Sequence, residues 1–271
     1  MQQPPSPVAV ARGQPVVLVD ASYYVFYRFF ATAKWFAFRK SDVVPALTDA
    51  AFQAAFVRHI EADVARWKKR YKLPPASRNV VFCRDCYRAE IWRRDLYPAY
   101  KGNREPNAAM DGGAFQALYA WVQAQGYPLV WHARLEADDL AGLMHQRLRQ
   151  EAGVGPFVFI TNDHDYLQAK AADTLIHQAS GQDVYEAGRR KGTHDVEVKI
   201  AMGDASDNIA AVLAPAQLRA FAELDADGRA ALLQQLGKEA AFARNRELML
   251  WDCIPAPLRE AFAAACPIVY V

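Results

Sequence analysis

Apolar residues in this chain alternate between short unbroken runs and long stripes at helical spacing. Pro15–Asp20 (PVVLVD), Asn79–Cys83 (NVVFC), Tyr127–His132 (YPLVWH), Phe157–Thr161 (FVFIT) and Thr174–Gln178 (TLIHQ) are near-continuous apolar runs. Runs of that length predict strands buried on both faces. Between them, Thr48–Lys69 carries Phe52, Phe56, Ile60, Val64 and Trp67 on one helical face. Gly113–Gln125 repeats the pattern with Phe115, Leu118, Tyr119 and Val122 and stops at Gly126. Glu136–Glu151 reads as a third helix, with Gly153 just beyond its end. Strands alternating with helices predict an α/β fold with a mostly parallel central sheet flanked by helices. From about Asp195 the chain turns helical and Ala-rich. The expected organisation is a disordered leader over 1–14, an α/β core over 15–194 and a helical subdomain over 195–271.

Bulk composition narrows the class. A length of 271 residues with 52% hydrophobic content suits one large domain with a satellite. No apolar run is long enough to span a bilayer, and the Pro-rich start lacks the charged-then-apolar order of a signal peptide. Cys83 and Cys86 form a C-x-x-C, but Cys253 and Cys266 have no ligand-like spacing. Structural zinc needs four ligands, so reduced intracellular thiols are the expected state.

Charge supplies the candidate chemistry. Nine carboxylates lie in short clusters at or just beyond strand ends: Asp20, Asp85, Glu136, Asp138, Asp139, Asp163, Asp165, Asp204 and Asp207. Ligands of open α/β sheets bind outside the carboxyl ends of the strands. Acids converging there repel one another and shift their own pKa values. Divalent cations with hard-oxygen preference would hold them together beside a substrate phosphate. The formal net charge is +2; without these nine acids, 32 basic residues face 21 acidic ones, a surplus of +11. An acidic centre in a basic frame suits a polyanion.

Each cluster alone also has a bland reading. Glu136, Asp138 and Asp139 make an acidic first turn that the helix dipole favours. Asp20 and the Asp163–Asp165 pair suit helix caps, and Asp204 with Asp207 suits a solvated turn. Their recurrence after strands favours a shared site. The segment Arg93–Glu105 (RRDLYPAYKGNRE) adds Arg93, Arg94, Lys101 and Arg104 interleaved with Tyr97 and Tyr100. Cations meet phosphates and aromatic rings stack on unpaired bases; an exposed basic loop without a partner is the alternative.

The order VVLVD, VVFCRD, LYPAYKGNR, EADD, TNDHDYLQ and MGDASDN resembles the 5′-nuclease superfamily, over roughly Val16 to Ile209, with a weaker echo at Arg244–Pro255. It is most similar to the bacteriophage flap endonucleases and the 5′-nuclease domain of bacterial DNA polymerase I. The resemblance implies a PIN-like nuclease fold and two Mg²⁺ ions, with Mn²⁺ as a substitute. Asp20, Asp85, Glu136 and Asp138 would surround the first ion, and Asp139, Asp163, Asp165, Asp204 and Asp207 the second. Lys101 and Arg104 would act on the scissile phosphate, and Tyr100 would stack on a base.

The implied substrate is DNA with a 5′ end or 5′ flap, RNA–DNA hybrid included. The protein would act as an intracellular monomer without a membrane, alongside a polymerase or other replication proteins. A short arch near residues 100–114 would cover the site. Three departures stand out. Cys86 occupies the family's acidic position, leaving Asp85 as the replacement and Glu90 as the more distant candidate. Arg28 falls one position late. The Gly-rich turn and Lys after MGDASDN are replaced by AAVLAPAQLRAFAEL. That loss points duplex anchoring toward Arg189, Arg190 and Lys191. The alternatives are a catalytically silent DNA-binding relative and a PIN-type ribonuclease.

Overall fold

The computed structural model describes residues 7–39, 42–105 and 113–271. In chain order the elements are β1 (Val8–Val10), β2 (Val16–Asp20), α1 (Ala21–Phe38), α2 (Ala50–Arg70), β3 (Val80–Arg84), α3 (Arg93–Leu96), α4 (Gly113–Ala124) and β4 (Leu129–Trp131). Then follow α5 (Ala137–Arg149), β5 (Phe157–Ile160), β6 (Thr174–His177), α6 (Val184–Lys191) and α7 (Val196–Met202). The chain closes with α8 (Pro215–Ala222), α9 (Ala226–Gln235), α10 (Glu239–Met249), α11 (Ala256–Ala265) and β7 (Ile268–Tyr270).

All five expected strands form one sheet in the order β4-β3-β2-β5-β6, with every pairing parallel. β2 is central, because its apolar run VVLV, fully buried ahead of Asp20, can be covered on both faces. One face packs Val17, Val19, Phe82 and Ile160 against α1, α2 and α4; the other packs Leu18, Val81 and Phe159 against α5 and Trp251. Parallel register brings the ends of β2, β3 and β5 to the same edge, and with them Asp20, Asp85 and Asp163.

Two expectations need correction. The leader is not disordered throughout: Val8–Val10 pairs in parallel with Ile268–Tyr270, and Val8 and Val10 are fully buried. Alternation in VAV supplied a strand signal that the flanking prolines obscured. The tail is therefore helical except for this closing strand. The long helix α1 was not read from the sequence, because ASYYVFYRFFATAKWFAF is apolar almost all round and shows no single stripe. Residues 106–112 of the expected arch lie outside the described residues.

Gly142 marks a tight contact that steadies α5. A Cβ there would fall 2.3 Å from Trp251 Cδ2. The Trp251 ring is itself held by Phe159 and Tyr166, with centroids 6.2 and 5.7 Å away. Helix propensity favours alanine over glycine by about 1 kcal/mol, while overpacking a filled core costs about 1–3 kcal/mol. Gly142→Ala is expected to lower the urea midpoint, with a net loss of stability of up to about 2 kcal/mol. A raised midpoint would show that the Trp251 ring yields freely.

Candidate active site

The strand ends and two later turns converge on a cleft of about 770 Å³. Seven of the nine predicted acids line it: Asp20, Asp85, Asp138, Asp163, Asp165, Asp204 and Asp207. Glu136 and Asp139 stand behind them, at 3% and 0% exposure. Local backbone chemistry aims each group. Asp20 caps α1 by accepting the Tyr23 N–H at 2.9 Å, and its other oxygen accepts the Thr161 hydroxyl at 3.2 Å. Asp85 accepts the Ala137 N–H at 2.7 Å, so the amino end of α5 holds it in the cleft. Asp163 caps the short 3₁₀ turn His164–Ala169 through the Asp165 N–H, at 2.9 Å. The capping and the site readings therefore hold together: the caps orient the acids.

The basic loop is stitched to the second acidic turn. The Lys101 N–H donates to the Asp207 carbonyl at 2.9 Å, with Lys101 in the left-handed region at φ 52°. Asn103 Nδ2 donates to the Ala205 carbonyl (2.8 Å) and Arg104 Nε to that of Ser206 (3.0 Å). In return Asn208 Nδ2 donates to the Ala99 carbonyl at 2.8 Å. These four bonds place the Lys101 ammonium against Glu136 and 3.5 Å from Asp207, and the Arg104 guanidinium against Asp207. Gly203 makes the turn: its φ is +72°, and a Cβ would lie 2.6 Å from the Ile209 carbonyl oxygen.

Electrostatics divide the acids into two groups. Burial, then repulsion from Asp85, pushes the Asp20 carboxyl up to about 7. Burial also raises Asp85 against Glu136, Asp138 against Asp139 and Glu136, and Asp163 against Asp207 and Asp204. Glu136 and Asp207 go the other way. Burial opposes their charge, but Lys101 with Arg93 or Arg104 outweighs it and holds both below the usual range. The same acids outweigh burial at Lys101 and raise its ammonium well above its ordinary value. Asp20, Asp85, Asp138 and Asp163 are thus short of positive charge, beside Glu136 and Asp207, which have it.

Asp20 gives this imbalance a pH signature in metal-free protein. Its folded pKa lies above the unfolded value, so the penalty is absent below about pH 4, grows up to about pH 7 and is full above it. In EDTA, the stability gained by Asp20→Asn is expected to be about 2–3 kcal/mol larger at pH 8 than at pH 5. Urea titrations of both proteins at both pH values measure it; an equal gain would place Asp20 in a solvated, uncoupled setting.

Arg93 and Tyr100 take other roles than expected, and Asp139 carries protein partners as well. Arg93 does not face a phosphate: it is 1% exposed and donates to Glu136 Oε2 (2.9 Å), Asp139 Oδ1 (2.7 Å) and the Leu248 carbonyl (2.6 Å). Asp139 is filled with protein donors, since Oδ2 also accepts from Trp92 Nε1 at 3.0 Å and the Glu136 N–H at 3.1 Å. Its oxygens still lie within 4.8 Å of those of Glu136 and Asp138. Tyr100 is 3% exposed and its hydroxyl donates to Asp207 at 3.0 Å, which leaves its ring walled in rather than offered to a base.

Among the other expected contacts, Lys191 lines the cleft, while Arg94, Arg189 and Arg190 do not. Arg28 is buried and paired with Asp63. Cys86 is outside the cleft and Glu90 sits on an exposed 3₁₀ turn, whereas Asp85 is inside. All four cysteines are free.

Lys199 was missed. It is 7% exposed, pairs with Asp165 and lies 3.8 Å from Asp204. A lysine within the largely apolar stretch VKIAM, four residues before Gly203, was the signal available. Among the described residues no helix is long and apolar enough to cross a membrane.

The sequence and the fold have counterparts among known proteins. The chain is 28% identical over 204 residues to DNA polymerase I of Pseudomonas aeruginosa, covering 73% of this chain and 20% of the relative. It is 27% identical over 204 residues to the 5′-3′ exonuclease of Bacillus subtilis, covering 71% and 64%. The chain therefore spans less than two thirds of these curated relatives. A bacteriophage T5 flap endonuclease in complex with DNA and metal ions shares the fold at a TM-score of 0.59 and 16% identity, covering 93% of this chain and 97% of that one. A bacteriophage T5 5′-exonuclease with bound zinc gives 0.58 at the same identity and coverage. The family model for the 5′-3′ exonuclease, N-terminal resolvase-like domain, matches residues 15–199, and the chain belongs to that family.

Proposed function

We propose that this chain is a divalent-metal-dependent 5′-nuclease that hydrolyses DNA phosphodiesters at 5′ ends and flap junctions, in replication, recombination or repair. The carrying observation is the convergence of seven carboxylates from five chain segments on one cleft that also holds Lys101, Arg104 and Lys199. Four of those carboxyls are raised by burial and mutual repulsion. Hard oxygen donors short of positive charge fit Mg²⁺ or Mn²⁺.

Asp20, Asp85, Glu136 and Asp138 form one donor group, and Asp163, Asp165, Asp204 and Asp207 the other. Asp139 supports the first group through Arg93 and the Glu136 N–H. When bound, the ions supply Lewis-acid polarisation of the phosphate and of water. The chain's own cations do the rest. Lys101 is fixed at the cleft wall by Glu136 and can move to a phosphate oxygen as charge develops there. Arg104 is 41% exposed at its side chain and offers a planar fork to the same or the next phosphate. Lys191 lines the same cleft and would meet a flanking phosphate. The DNA-bound relative with the same fold supports DNA as substrate, and the polymerase relative supports a replication protein as partner.

Cleavage of a 5′-labelled flap DNA in Mg²⁺ and in EDTA tests the reading. Metal-dependent cutting near the junction is expected, and Asp163→Asn/Asp165→Asn should abolish it while leaving the fold intact. Binding without cutting in either Mg²⁺ or Mn²⁺ would mark a silent DNA-binding relative. Cutting confined to single-stranded RNA would mark a ribonuclease.

A further inference from the structure

A second cavity, of about 630 Å³, lies away from the acids. Pro75 precedes β3, and Gln125 and Tyr127 precede β4, so it opens at the amino-terminal ends of the strands, the sheet edge opposite the catalytic cleft. Its inner wall is apolar, from Val64, Leu73 and Trp121, with Ala65 on the exposed rim. Lys68 and Lys69 also line it, and the Arg78 guanidinium sits 5.1 Å from the Tyr127 ring centroid.

Those cations lack acidic partners. No ion pair joins Lys68, Lys69 or Arg78 to a carboxylate among the described residues. Lys68 is the informative one: it is 7% exposed, and its ammonium has the Pro75 carbonyl at 2.7 Å and the Tyr127 ring at 4.9 Å. A buried ammonium with one neutral acceptor remains short of negative charge. Glu61 is the cavity's single acid, and one of its oxygens accepts from Trp121 Nε1 at 3.4 Å.

The aromatic rings are not free for stacking. Trp121 lies on Tyr127 with centroids 5.6 Å apart at 26°, and the two cations cover Tyr127 as well. Single-stranded nucleic acid needs open ring faces, so this cavity is poorly made for a base. It suits an apolar side chain entering the pocket, flanked by carboxylates that reach Lys68, Lys69 and Arg78.

We infer that this cavity docks an acidic peptide segment of a partner protein through one large apolar anchor. Carboxylates at the rim give orientation and encounter rate, and the buried anchor gives affinity. The site is separate from the catalytic cleft and does not depend on the nuclease reading.

Fluorescence anisotropy with a labelled peptide, Gly-Asp-Glu-Asp-Leu-Phe-Asp-Glu, tests it on the full chain. Saturable, salt-sensitive binding is expected. Lys69→Glu/Arg78→Glu and the cavity-filling Ala65→Trp should each weaken it by roughly tenfold or more. All three positions are exposed, so both variants should fold as the parent does by circular dichroism and retain its level of flap cleavage. A peptide with serine in place of Leu-Phe should not bind. No saturation up to about 1 mM peptide, binding indifferent to both variants, or displacement of the peptide by oligothymidylate with matching loss in both variants would each overturn the assignment.

Discussion

Replacing Arg93 with methionine is expected to destabilise the protein by about 3–5 kcal/mol, the cost of leaving a buried charge without its partner. The guanidinium contacts three acids of one helix turn: Glu136, Asp138 and Asp139. Without it, Asp139 sits at 0% exposure with only the Trp92 and Glu136 N–H donors, and Glu136 depends on Lys101 alone. The bond from Arg93 Nε to the Leu248 carbonyl also ties the α/β core to α10, so the loss should reach the helical subdomain. Arg93→Lys keeps the charge and loses the fork, and should fall between the two. Adding Asp139→Leu to Arg93→Met removes the stranded carboxylate and should recover part of the loss, since apolar replacement of a buried pair is often close to neutral. Urea midpoints in EDTA measure all four proteins. A loss below about 1 kcal/mol, the range of an exposed pair, would mean that water reaches these acids.

The sheet and its acids were legible for a simple reason. The three central strands are apolar runs, and each has a carboxylate at its last residue or within three residues beyond it, Asp20, Asp85 and Asp163, so the change from pattern to chemistry marks the strand end. Asp20 and Asp163 were legible both as caps and as site residues, and their caps at α1 and the 163–165 turn are how the site is aimed. Asp85 was legible as a substitute for the family position because it directly follows β3, where the Ala137 N–H can reach it.

What failed depended on contacts distant in sequence. Arg93 and Tyr100 belong to a segment whose composition reads as exposed and basic. Arg93 is buried against EADD and Leu248, 43 to 155 residues away, and Tyr100 against Asp207, 107 residues away. Lys199 and Asp165 are 34 residues apart, and only the fold shows that one answers the other. β1 escaped because its partner β7 closes the far end of the chain.

Lys101→Met should then lower the single-turnover rate of flap cleavage by about 10²–10³, the usual cost of removing one preorganised group that meets developing charge. The side chain is well suited to that role. Its backbone is fixed at φ 52° by the Asp207 carbonyl, and burial among acids keeps the ammonium charged across any working pH. Two explanations for a slow variant must be separated. Lys101 also holds Glu136 ionised, so its loss lets burial raise that carboxyl and could weaken the cation site instead of the phosphate contact. If the cation site alone were damaged, raising Mg²⁺ would restore the rate. If the lysine acts on the phosphate, the deficit persists at saturating Mg²⁺ while DNA affinity, measured in Ca²⁺, changes little. Lys101→Arg retains the charge and should recover part of the rate. Full recovery of the methionine variant by added Mg²⁺ would reassign Lys101 from the scissile phosphate to the upkeep of Glu136.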